Sequence, residues 1–252
     1  MTISPAAIIA PSAQLGEGVV VEPLVVIEAG VTVGARTRLR TGTVLHAGAV
    51  IGADCQLGPY AIVAGEPMDT RFQGEPSLAV LEDNVILREF VTVHRATGAG
   101  AATRIGAGTL VMSYAHVSHN VSVGRQVVLT TQVQLGGHSN VGDYATLGAN
   151  AMVHQFGRVG SYAMLGALSA ANQDILPYMM AHGFPARHYR LNKVGLRRRG
   201  ITAARYAALE RALRAYRRKD WTTLEALAAE HSDVKALLDF KASSTRGVSS
   251  FV

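Results

Sequence analysis

IGAGTLVMSYAHVSHNVSVGRQVVLTTQVQLGGHSNVGDYATLGANAMVHQFGRVGSYAML, residues 105–165, decides the fold. Counted in sixes, every slot is aliphatic: Ile105, Val111, Val117, Val123, Leu129, Leu135, Val141, Leu147, Val153, Val159 and Leu165. Glycine follows the slot at Gly106, Gly136, Gly142, Gly148, Gly160 and Gly166. A period of six fits neither a helix at 3.6 nor an alternating strand at 2. It marks a hexapeptide β-helix, with each slot expected at a corner where a short strand ends. Three hexads close one triangular coil. Residues eighteen apart therefore stack, about 4.8 Å from one another.

The same register opens the chain, from Ile3, Ile9 and Leu15 through to Leu57 and Val63. It then fails at Asp69 and Glu75, residues that an apolar interior does not accept unpaired. Leu81, Leu87 and Val93 restore it, and the Gly/Ala stretch around Ala99 interrupts it again. Two inserted loops are thus expected, near 64–79 and 94–104. Loops on a rigid scaffold commonly carry function.

Beyond Leu165 the sixes fade. Ala203, Tyr206, Leu209, Leu213 and Tyr216 recur at helical spacing, and Thr222 with Glu225 has the form of a capping box. The expected fold class is all-β with a small α part. A left-handed parallel β-helix of hexapeptide repeats spans 1–185, and a C-terminal helical domain spans 186–252 and covers the exposed end of the last coil.

Composition narrows the function. The 252 residues are 48% hydrophobic but only 6% aromatic, as a narrow interior of Ile, Leu and Val requires. One cysteine, Cys55, excludes an internal disulfide and reads as a small core residue. With no signal-like opening and no run of eighteen apolar residues, a cytoplasmic protein without a membrane span is expected. The net charge of +6 is local, in Arg187, Arg190, Lys193 and Arg197 to Arg199, and in Arg214, Arg217, Arg218 and Lys219. Local clusters favour a phosphate or an acidic protein partner over nucleic acid.

The stacking rule places the histidines. His119, Gly137 and Gln155 are eighteen apart and form one column. His138 stacks on Asn120, His154 adjoins Gln155, and His116 precedes the slot at Val117. Four histidines thus converge on neighbouring coils. One reading is zinc, as in the carbonic anhydrases of the same architecture, but no carboxylate adjoins these histidines in sequence to support such ligands. The favoured reading is a single general base, with the Gly137 N–H as oxyanion donor, for attack by a hydroxyl or amine on an activated acyl group. A non-catalytic trimeric scaffold would not need this column.

Six stretches carry a resemblance: REFVTVHRAT (88–97), AHVSHN (115–120), GGH (136–138), MVHQFGRVG (152–160), NKVGLRRRG (192–200) and STRG (244–247). Taken in this order, they make the chain similar to the acyl-carrier-protein-dependent UDP-N-acetylglucosamine O-acyltransferases, which begin lipid A synthesis. The resemblance implies His119 as general base and Gly137 as oxyanion donor. It implies substrate contacts at Asp69, Arg71, His116, His138, His154 and Gln155, and a diphosphate clamp of Asn192, Arg198 and Arg199. Met164 and Ala167 fall where acyl length is measured. It further implies a homotrimer, an acidic acyl carrier protein bearing the donor on its phosphopantetheine, a UDP-sugar acceptor, no cofactor of the enzyme's own and no metal. Three departures bear on the acceptor. The first loop reads Pro67-Met68-Asp69-Thr70-Arg71-Phe72, where members usually have Gln-Asp-Leu-Lys-Tyr. Asn120 stands where many have Asp, and HRAT replaces HRGT. Ester formation on UDP-N-acetylglucosamine and amide formation on a 3-amino sugar nucleotide both remain open at this level.

Overall fold

The computed structural model describes residues 1–252. Its first 171 residues wind as a left-handed parallel β-helix with three flat faces. The first face runs from Thr2–Ile3 to Met164–Leu165, and the second from Ile8–Ile9 to Ala170–Ala171. The third runs from Gln14–Leu15 to Arg158–Val159. Most strands are only two residues long, and strands on one face pair in parallel with the coils above and below.

The sixth-place residues differ from the expectation in one respect. They are not corners. From Ile105 to Leu165 each is the last residue of its strand and points inward, so that Leu129, Leu135, Leu147 and Leu165 are buried. The turn follows two and three residues later, and its second residue takes a left-handed backbone, as at Asn120, His138 and Phe156. The chain must leave its inward residue behind before it can bend outward. Glycine after the slot has a steric cause: a Cβ on Gly148 would lie 2.4 Å from the nitrogen of Ala167 in the next coil.

Both insertions are present, and both are whole hexads. Across the first, Ile62 pairs with Thr92, thirty residues away, instead of eighteen. Across the second, Thr92 pairs with His116, twenty-four away. The additions are thus twelve and six residues, so the inward phase survives both. The loops proper are residues 66–77 and 95–101.

The expected division at 185–186 falls at the tip of an antiparallel hairpin, Met179–Gly183 with Ala186–Leu191, which extends the first face. Helices α1 (Lys193–Arg198), α2 (Ala203–Arg218), α3 (Trp221–Glu230) and α4 (Ser232–Ala242) follow. None is long and apolar enough to cross a membrane. The expected capping box at Thr222 is not the start of α3. Lys219 takes a left-handed turn, so Asp220 becomes the cap and accepts from the Thr223 N–H at 3.1 Å. Thr222 lies inside the first turn. Leu196, Leu209 and Leu237 pack on Leu176, Tyr178 and Met179, and Arg205 holds buried Asp233 through two bonds of 2.7 Å.

The last residues return to the solenoid. Buried His188 accepts from the Leu176 N–H at Nε2 and donates from Nδ1 to the Ser249 carbonyl, which requires a neutral ring. Burial pushes its pKa down to about 4. An unfolded histidine titrates near ~6.5. The unfolded chain therefore takes up more protons between these values, and the clasp's contribution, complete above ~6.5, is lost as pH falls towards 4. Thermal unfolding followed across this range is expected to show a falling midpoint. His188→Gln, which cannot gain charge, is expected to be less stable at neutral pH and to flatten that dependence.

Candidate active site

His119 and Gly137 meet at the edge between the second and third faces. Each sits first in its turn, one coil apart, and a Cβ on Gly137 would lie 2.5 Å from His119 Nε2. Only glycine leaves the imidazole in place. They line a cleft of about 550 Å³ with Asp69, Arg71, Gln155 and Phe156. The expected column of His119, Gly137 and Gln155 is thus assembled as the stacking rule places it.

The ring of His119 has one free nitrogen. Nδ1 lies 3.0 Å from Asn120 Oδ1. Asn120 itself cannot flip, because its Oδ1 accepts from the Thr97 N–H at 2.9 Å and its Nδ2 donates to the Thr97 carbonyl at 3.0 Å. An oxygen must therefore face His119, so Nδ1 carries the proton and Nε2 holds a lone pair directed at the cleft.

Gly137 offers the complementary group. At Ala53, Ala107 and Arg125, the same first N–H of the turn points outward and is taken by a carboxylate, from Asp83, Glu82 and Asp143, at 2.7–3.0 Å. At Gly137 the N–H has no acceptor in the chain. The turn geometry that binds anions elsewhere is here left open to the cleft.

The first loop delivers a carboxylate that the sequence spacing did not show. Asp69 Oδ2 lies 3.7 Å from His119 Nδ1, which corrects the expectation that no carboxylate adjoins the histidines. The chain folds the loop back across the two coils, so a residue fifty positions upstream becomes a neighbour. The Arg71 guanidinium and backbone N–H bind both Asp69 oxygens at 3.0–3.2 Å and hold its carboxyl well below the usual range. Arg71 Nη2 also approaches His138 Nε2 at 3.5 Å. Asp69, His119 and His138 could offer three metal-ligand atoms within 4.8 Å of one another. The Arg71 cation already occupies the carboxylate, however, so the arrangement is better suited to hydrogen bonding than to holding zinc.

His138 is edge-on to His119 and stacks on Phe156 at 4.8 Å; burial, then repulsion from His119 and Arg71, lowers its pKa. His116 and His154 line an adjoining groove of about 420 Å³ that runs along the second face past Met152 to Ala170 and Phe184. His116 has both nitrogens engaged, with Thr92 and Ser118, and burial takes its pKa to about 4. Burial thus keeps its ring neutral near pH 7. His154 is exposed and bonds the Gln155 carbonyl.

Five expected residues lie elsewhere on the chain. Asn192 caps α1, accepting from the Gly195 N–H and donating to the Tyr162 carbonyl. Arg199 binds the Gln126 carbonyl at 3.1 Å and lies over Tyr144, at the edge between the third and first faces, and Arg198 is exposed beside it. Met164 is on the first face, and Ala167 is exposed at the edge between the first and second. Thr97 is the residue that sequence reasoning missed. The second loop separates it from Asn120 by twenty-three positions, so the rule of eighteen does not pair them.

Residues 174–249 match the family model described as UDP N-acetylglucosamine O-acyltransferase, domain 2. The chain is 43% identical to the acyl-[acyl-carrier-protein]–UDP-N-acetylglucosamine O-acyltransferase of Alkalilimnicola ehrlichii, over 98% of both chains. It is 41% identical to that of Thiobacillus denitrificans, again over 98% of both. Among solved structures, it resembles the UDP-N-acetylglucosamine acyltransferase of Francisella novicida with a TM-score of 0.94, at 28% identity over 99% of this chain and 94% of that one. The enzyme of Campylobacter jejuni gives 0.92, at 31% identity over the whole of both.

The tautomer is directly measurable. Long-range nitrogen–proton NMR spectra at neutral pH are expected to show His119 protonated at Nδ1. Asn120→Ala is expected to yield a mixture of tautomers; an Nε2-protonated ring in the parent protein would contradict the geometry.

Proposed function

From the premise that the chain belongs to the acyl-[acyl-carrier-protein]–UDP-N-acetylglucosamine O-acyltransferases, we propose that it moves a 3-hydroxyacyl group from acyl carrier protein to the 3-position of UDP-N-acetylglucosamine, the first step of lipid A synthesis. One observation carries the mechanism: the free Nε2 of a tautomer-locked His119 stands beside the unoccupied N–H of Gly137. Nε2 removes the acceptor hydroxyl proton as the oxygen attacks the thioester carbonyl. The carbonyl oxygen, now an oxyanion, is held by the Gly137 N–H. Collapse expels the phosphopantetheine thiolate, which takes the proton back from His119.

The remaining residues divide the substrates. Asp69, Arg71, His138 and Gln155 face the sugar and its phosphates at the cleft. Arg198 and Arg199 clamp the diphosphate, with Asn192 fixing the helix that presents them. His116 and His154 border the groove for the acyl and phosphopantetheine chain. Met164 and Ala167 set its length. Base, clamp and length residues lie on different edges of one prism, so a homotrimer is needed to bring one chain's edge against another's. Tyr60, Phe90 and Tyr114 support this: they stack at 5.0–5.4 Å along one edge and are still 43–53% exposed. The basic C-terminal helices supply a surface for an acidic acyl carrier protein.

His119→Ala is expected to lower kcat at least about a hundredfold, while nucleotide binding and the circular dichroism spectrum hold. A variant within a few-fold of the parent would remove His119 from the mechanism. Mass spectrometry of the product separates ester from amide, and an acyl carrier protein panel reads the length preference. In that panel Ala167→Met is expected to favour shorter chains, since each methylene excluded from an apolar groove costs about 0.8 kcal/mol. An unchanged profile would reject position 167 as a determinant.

A further inference from the structure

The neighbour that orients His119 carries no charge. Asn120 fixes the tautomer, yet a neutral amide gives little help to the imidazolium that forms when the base takes its proton. The only carboxylate within 4 Å of the ring comes from the first loop: Asp69 Oδ2, at 3.7 Å from Nδ1. Both side chains are withdrawn from water, 6% and 8% exposed, so their interaction is poorly screened. Asp69 is not free to act alone. Arg71 occupies both its oxygens with a guanidinium that is itself 65% exposed and therefore able to move.

We infer that Asp69 is a positioning residue for the base, the charge partner of the His119 imidazolium, and that Arg71 keeps it neutralised until an anionic diphosphate draws the guanidinium away. Acceptor binding and base strength are then coupled through one ion pair. The inference rests on the reading of His119 as general base and deepens it. Bound acceptor gives Arg71 a phosphate in place of Asp69, and the carboxylate left behind turns its field on His119. Without acceptor, the base stays weak and the thioester is not wasted on water.

The other ionisable groups around the ring do not supply this charge. His138 from the next coil meets it edge-on at 5.3 Å, with its pKa lowered by burial. His116 from the preceding strand, and His94 behind it, are also held down by burial, so all three face His119 as neutral rings near pH 7. Asp69 and Arg71 are the charged groups that remain.

The pH profiles test this. A carboxylate beside an imidazole favours its charged form, and a base must be neutral to act. The acidic limb of kcat, which reports the acceptor complex, is therefore expected at higher pH than that of kcat/KM, which reports the free enzyme. Asp69→Asn is expected to move the kcat limb down by about one unit and to lower its plateau. Adding Asn120→Asp to that variant restores a carboxylate from the other side and is expected to return the limb. Arg71→Gln is expected to raise the kcat/KM limb to meet that of kcat. A limb left in place by Asp69→Asn, with only KM for the nucleotide sugar raised, makes Asp69 a sugar contact and overturns the inference, as does a limb that the second carboxylate does not return. His119→Gln keeps the two failures apart: if it retains the parent kcat, the reading of the base itself falls.

Discussion

Every coil of this protein must hydrogen-bond its backbone to the coils above and below, and the rest of the structure depends on that requirement. On a face, Val117 pairs with Leu135, and Leu135 with Val153. Because the pairing is backbone to backbone, it dictates position independently of side-chain identity. It leaves the turn residues, which are outside the strands, free to vary. The candidate site residues His119, Gly137 and Gln155 are accordingly in turns, while the strands stay aliphatic within. His119 and Gly137 are neighbours because their strands are.

The candidate catalytic edge is marked by what stands beside its open N–H. At Ala53, Ala107 and Arg125 a carboxylate from an adjacent coil takes the outward N–H of the turn, and ion pairs such as Arg36 with Asp54 and Arg125 with Asp143 lace successive coils. At Gly137 no such partner is supplied, and removal of the side chain clears the approach. What sets this turn apart is the pairing of an open N–H with a locked imidazole one coil away.

What the sequence revealed, and what it did not, follows from the same geometry. Within an unbroken run of coils, arithmetic by eighteen converts numbering into position, so the His119–Gly137–Gln155 column was legible. Across an insertion the conversion needs the loop's length, and Thr97 against Asn120 was hidden for that reason. Asp69 was hidden more deeply. No periodicity governs a loop of twelve residues, and its return over the coils is fixed by Arg71, by Glu75 bonding the Gly98 N–H and by contacts that have no repeat. The helical end was readable as helices, but its starts were not: a left-handed Lys219 moved the cap from Thr222 to Asp220. Residues expected to act together but found on three different edges show the limit of a single chain's coordinates, since stacking relates coils within a prism and says nothing about its neighbours.

The loop lengths have a consequence beyond this molecule's own chemistry. Both loops leave the coil and return to it in register, with Ile62 paired to Thr92 and Thr92 to His116, so the downstream coils keep the same side chains facing inward. A loop that leaves the coil at one turn and re-enters at the next can change length outside the prism, while the strands on either side keep their pairing and their inward residues. The segment that bears Asp69 and Arg71 is thus separable from the scaffold: it can be rebuilt as a unit while the column beneath it keeps its place.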